Sequence, residues 1–195
     1  EFDKIRVFYN HPAFIDVMAE LTATHLAKIA PEARARTPLL FTAHSIPLSM
    51  ARGAAYVGQL REASRLVAER VEHPDFDLVW QSRSGPPHIP WLEPDILDVM
   101  RDLHDQGHRE IVVVPIGFLS DHMEVLFDLD TEAQALAREL DMTLHRVPTV
   151  GTHPTFVRMI RDLIVERMTA IPERSAIGQY GPNHDICPLN CCRAA

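Results

Sequence analysis

Short apolar runs alternate with longer amphipathic stretches along most of the chain. Residues 37–43 (TPLLFTA), 77–81 (DLVWQ), 110–119 (EIVVVPIGFL) and 143–147 read as strands. Apolar side chains follow one another in them with little polar alternation, as expected where both faces of a strand are buried. Residues 12–29, 54–72, 94–104, 124–140 and 154–168 read as helices, with apolar side chains recurring at three and four. Phe14, Val17, Met18 and Leu21 mark the first of these, and Ile96, Val99, Met100 and Leu103 the third. Pro94 falls near the first turn of that third helix and Gly107 closes it. The strand–helix alternation predicts an α/β fold, a parallel sheet with helices on both faces. Ligands of such sheets bind beyond the carboxyl ends of the strands. The stretches to examine are therefore Thr42-Ala43-His44-Ser45, Gln81-Ser82-Arg83-Ser84-Gly85 and Ser120-Asp121-His122-Met123-Glu124.

Composition narrows the function classes. The 195 residues carry a formal charge of −8, and no basic stretch offers a footprint for phosphates, so nucleic-acid binding is not expected. Hydrophobic content of 46% and charged content of 24% are those of an ordinary globular chain. No apolar run approaches the ~20 residues that span a bilayer. The 3 cysteines, Cys187, Cys191 and Cys192, all lie at the end of the chain, which excludes a secreted disulfide framework and points to a reducing, cytoplasmic compartment.

Chemistry gathers at the predicted strand ends. His44 follows the first strand directly; it either ties down a turn or acts chemically. With Glu124 it offers an imidazole nitrogen and a carboxylate oxygen, a mixed set that suits ferrous iron or another divalent transition ion and equally suits proton transfer. Glu124, Asp128 and Glu132 recur at i, i+4 and i+8, either as a solvated acidic face or as a path for cations or protons leading from the site. Arg83 lies in a proline-rich loop bounded by Trp80 and Trp91, which is either a stiff core-completing loop or a carboxylate-binding wall. In the tail, three thiols fall one short of the four that an iron–sulfur cluster takes. His184 with Cys187, Cys191 and Cys192 could instead bind zinc.

At these residues the chain resembles the ferrochelatase family. Phe41-Thr42-Ala43-His44-Ser45-Ile46-Pro47, Trp80-Gln81-Ser82-Arg83-Ser84-Gly85-Pro86 through Trp91-Leu92-Glu93-Pro94, and Val114 through Asp128 look like three signatures of that family. The resemblance implies a Rossmann-like domain over residues 1–168, one half of a two-domain porphyrin metal chelatase, with residues 169–195 as a C-terminal extension. It implies insertion of Fe²⁺ into a porphyrin, coproporphyrin III in the actinobacterial members that the tail resembles. His44 and Glu124 would bind the incoming metal or accept pyrrole protons, and Asp128 and Glu132 would continue an acidic path. Arg83, Ser45 and Trp91 would be porphyrin-binding candidates. Cys187, Cys191 and Cys192 would hold a [2Fe–2S] cluster whose fourth ligand, like the N-terminal half of the enzyme, lies outside these residues. A short homodimeric chelatase of the cobaltochelatase kind and a non-catalytic porphyrin or metal carrier are the competing expectations.

Overall fold

Leu39, Leu40, Phe41 and Ala43 are all buried, so this run has no solvated side. It forms β1 (Leu39–His44), an inner strand of a sheet covered on both faces. With β2 (Asp77–Gln81), β3 (Glu110–Val114) and β4 (Thr143–Arg146) it makes one four-stranded sheet of order β2-β1-β3-β4, with every pair parallel. This is a computed structural model, and it describes residues 4–169 and 173–187.

The helices are α1 (Pro12–Leu26), α2 (Pro31–Arg34), α3 (Leu48–Arg52), α4 (Tyr56–Arg70), α5 (Ile96–Asp105), α6 (Met123–Val125), α7 (Gln134–Glu139) and α8 (Pro154–Thr169). A π-helix, Leu126–Ala133, joins α6 to α7. Alternate strand residues face opposite ways. Leu39, Phe41 and Ala43 pack with Met18 of α1, Val67 of α4 and Leu163 of α8. Leu40, Val79 and Val113 pack with Met100 of α5, Leu129 of the π-helix and Leu136 of α7. The predicted doubly covered parallel sheet is therefore present.

Three boundaries differ from the sequence expectation. The third strand stops at Val114 rather than at residue 119, because Pro115 has no N–H to donate to a ladder. Past it the chain turns tightly, with Ile116 N–H donating to the Val114 carbonyl at 2.8 Å and Phe118 N–H to that of Pro115 at 3.1 Å. Ile116 and Phe118 are buried all the same, which is why the run looked continuous. The third helix starts at Ile96, since the Asp95 carboxylate caps it by accepting the Leu97 N–H at 2.8 Å. Residues 124–140 are not one regular α-helix. Through the eight residues of the π-helix the repeat widens to i→i+5, a rare element that concentrates at functional sites.

Two long-range features organise the rest. From β1 the chain passes to β2 on one side, and β3 lies on the other, so the strand order reverses between β1 and β3. The carboxyl ends at that reversal are where open α/β sheets leave a crevice. Residues 173–187 then run back over the start of the chain and α4. Buried Asn10 donates through Nδ2 to the carbonyls of Tyr180 (2.7 Å) and Gly181 (3.2 Å), and its own carbonyl accepts from Ile177 N–H. The buried Glu62 carboxylate accepts from Gln179 N–H, Gln179 Nε2 and the Arg65 guanidinium, and the Arg65 bonds foremost hold its pKa below the usual carboxylate range. No helix among the described residues is long and apolar enough to cross a membrane.

Candidate functional site

The β1–β3 reversal brings the two strongest candidates together. His44 ends β1, and Glu124 lies in α6, in the connection that follows β3. Their separation is 3.1 Å between Nε2 and Oε1, although they are 80 positions apart in sequence. Each is partly exposed, with 34% and 46% of the side chains reachable by solvent. The other ring nitrogen of His44, Nδ1, faces the Ser45 carbonyl at 2.5 Å. That oxygen only accepts, so Nδ1 carries a hydrogen, and a neutral imidazole then has none left for Nε2. Nε2 nevertheless points at a carboxylate. With Nδ1 so bonded, the gap between Nε2 and Oε1 is one that a shared proton can fill.

Several contacts hold His44 where it is. The Tyr56 hydroxyl donates to the His44 carbonyl at 2.9 Å. Burial pushes the Tyr56 pKa up to about 12, so this donor keeps its proton through any ordinary working pH. Ser45 N–H donates to the Gln81 carbonyl at 2.8 Å, which extends the β1–β2 pairing past the end of the strand. From the other side, Gly117 N–H donates to the Thr42 carbonyl at 3.0 Å. A Cβ at Gly117 would stand 2.5 Å from the Ala43 Cβ and 2.9 Å from its Cα, so only glycine lets the turn after β3 lie flat against β1.

The acidic series does not continue as a row. Asp128 turns towards β2, where its Oδ2 accepts from Gln81 Nε2 at 3.0 Å and from the Ser82 hydroxyl. Glu132 is exposed farther along the π-helix. Asp121 and Asp130 both pair with Arg146, which engages them away from Glu124. Within a few positions of Glu124 in sequence, Leu119, Met123, Leu126 and Phe127 are apolar side chains exposed to solvent, with Met123 81% and Phe127 53% exposed. Among the described residues there is no group of three or more His, Cys, Asp and Glu side chains that could hold a metal ion.

The family model described as Ferrochelatase matches residues 1–168. The chain belongs to the ferrochelatase family. It is similar to the ferrochelatase of Rhodopirellula baltica, at 51% identity over 97% of this chain and 54% of that protein. It is similar also to the coproporphyrin III ferrochelatases of Streptomyces griseus (45%, covering 98% of this chain and 56% of the relative) and Corynebacterium glutamicum (44%, 100% and 55%). The chain thus spans about half the length of the curated relatives it matches.

Other residues singled out in the sequence have separate placements. Ser45 is buried and its hydroxyl donates to the Leu92 carbonyl at 2.9 Å, tying β1 to the proline-rich loop. Trp91 sits in that loop against Gly85, bridged to Pro47, and its indole N–H is buried without a hydrogen-bond partner among the described residues. Arg83 is exposed and reaches its own loop's Pro87 and Ile89 carbonyls at 3.3 and 3.4 Å. Cys187 lies exposed at the end of residues 173–187, with the Lys4 ammonium 2.9 Å from its sulfur. Cys191 and Cys192 lie outside the described residues. The sequence reading assigned no role to Tyr56 or Gly117. Gly117 stood inside a quoted signature and Tyr56 in a helix, but nothing local shows that either touches β1.

Proposed function

We propose that the protein of which this chain forms part inserts Fe²⁺ into a porphyrin, and that this chain carries the metal-handling wall of the site. The observation that carries the reading is the His44–Glu124 pair at the sheet's reversal, with a gap that a shared proton can fill. Fe²⁺ replaces two pyrrole protons, so the reaction consumes a free-base porphyrin and Fe²⁺ and yields the metalloporphyrin and two H⁺. A group that exchanges a proton for a cation serves both halves of that balance. The exposed apolar side chains of Leu119, Met123, Leu126 and Phe127 offer a flat ring apolar surface to cover. The Streptomyces and Corynebacterium relatives are named for coproporphyrin III, and we carry that substrate to this chain. The facing wall of the cleft would come from polypeptide outside these residues. The confinement of cysteine to the tail supports a reducing, cytoplasmic compartment.

The test uses the complete polypeptide with coproporphyrin III and Fe²⁺ under anaerobic conditions. Conversion to metalloporphyrin absorbance with release of two protons per iron is expected. Porphyrin binding without proton release on adding Fe²⁺ would make the protein a carrier instead.

A [2Fe–2S] cluster in the tail belongs to the same reading. Cys187, Cys191 and Cys192 would supply three thiolates, the first of them with the Lys4 ammonium 2.9 Å from its sulfur. A fourth thiolate is required from elsewhere. Anaerobically prepared protein should then absorb in the visible and lose that absorbance in Cys191→Ser; colourless protein with one zinc per chain would overturn the cluster.

A further inference from the structure

Asp128 stands four residues beyond Glu124, yet its carboxylate is engaged across the sheet. Oδ2 accepts from Gln81 Nε2 and from the Ser82 hydroxyl at once. Gln81 is the last residue of β2 and is buried, and because a carboxylate can only accept, the bond to Asp128 settles which end of its amide faces the π-helix. Its backbone carbonyl meanwhile holds Ser45 N–H, the residue after His44. Ser82 has φ +62, in the left-handed region that residues with a Cβ occupy at a cost and that persists where surrounding contacts fix it. Here that backbone conformation accompanies delivery of the hydroxyl to Asp128.

The π-helix that carries Asp128 is a rare, wide-turned element, so bonds from outside it bear on its placement. We propose that Gln81, Ser82 and Asp128 form a latch between the end of β2 and the π-helix, and that this latch sets the separation of Glu124 from His44. Asp128 is then a positioning residue and not a conduit for incoming cations. Gln81 reaches towards both partners of the pair, through its side chain to the π-helix that follows Glu124 and through its carbonyl to Ser45, the residue after His44. The catalytic part of this inference rests on the iron-insertion reading above; the latch itself is a property of the fold.

The experiment compares Ser82→Gly, Asp128→Asn and Asp128→Ala in the complete polypeptide. Ser82→Gly removes the hydroxyl from a backbone conformation that glycine adopts freely, so the fold is retained. It should speed amide hydrogen exchange across Leu126–Ala133 by about tenfold while that of β3 is unchanged. Iron insertion should fall through kcat, with KM for porphyrin unchanged, because only the reacting pair is misplaced. Asp128→Asn keeps an oxygen that accepts, so it should retain several-fold more activity than Asp128→Ala. Equal loss in both Asp128 variants would show that the charge matters rather than the acceptor, and would overturn the positioning role. Unchanged exchange in Ser82→Gly and Asp128→Ala would overturn the latch. Faster exchange in a protein whose unsubstituted form inserts no iron would uphold the latch and overturn the functional reading alone.

Discussion

His44→Ala in the complete polypeptide is expected to lower iron insertion by roughly 10³-fold while porphyrin binding largely persists, the scale at which loss of a positioned proton-transfer group is felt. The ring has one nitrogen committed to the Ser45 carbonyl and the other facing Glu124 at 3.1 Å, so alanine removes the only nitrogen in the pair and leaves the carboxylate without its partner. Fold should survive, because His44 is at the end of β1 and only partly buried, while the apolar residues before it carry the core. Turnover rates with Fe²⁺, together with porphyrin affinity by fluorescence quenching, separate the two steps. Turnover within tenfold of the unsubstituted protein would remove His44 from the reaction. Glu124→Gln should fall in the same direction, since an amide in that place cannot share a proton or neutralise a cation.

The second large effect is on stability. Gly117→Ala should destabilise the fold by about 3 kcal/mol, the upper part of the range for inserting a methyl into a packed interior. The methyl would meet the Cβ and Cα of Ala43, neither of which can swing aside as the tip of a long side chain can. At about 2–4 °C per kcal/mol for a domain of this size, the thermal midpoint should drop by roughly 6–12 °C. Iron insertion should fall as well, since Ala43 immediately precedes His44. Gly58→Ala is the control: nothing lies within 4 Å of a Cβ there, and α4 gains a better helix former, so its midpoint should hold or rise. Equal midpoints for the two variants would show that the turn after β3 does not press on β1.

The architecture was legible because burial writes itself into sequence as uninterrupted apolar runs, and these fixed four strands and the helices between them. The strand order was not legible, because adjacency in a sheet leaves no local mark. Without it, His44 and Glu124 could be assigned to one rim but not to a 3.1 Å contact. The π-helix was missed for a related reason: Val125, Leu129 and Leu136 satisfy an α-helical repeat well enough that one wider turn does not show. Asp128 was read by its charge and its spacing, whereas its bonds go to Gln81 and Ser82 on another strand, which no spacing within its own helix could reveal.

The placement of residues 173–187 has a consequence for how the molecule tolerates trimming. Arg6, Asn10 and Glu62 are polar side chains buried to within 1% of completely; Arg6 and Asn10 donate hydrogen bonds into that stretch and Glu62 accepts from it. Cutting it away would exchange these hydrogen bonds for bonds to water, at about 0.5–1.5 kcal/mol for each, and would open the first segment and α4 to solvent. The end of the described chain is in this sense a seam sewn into the interior, and the cysteine at its margin is moored to the body of the fold.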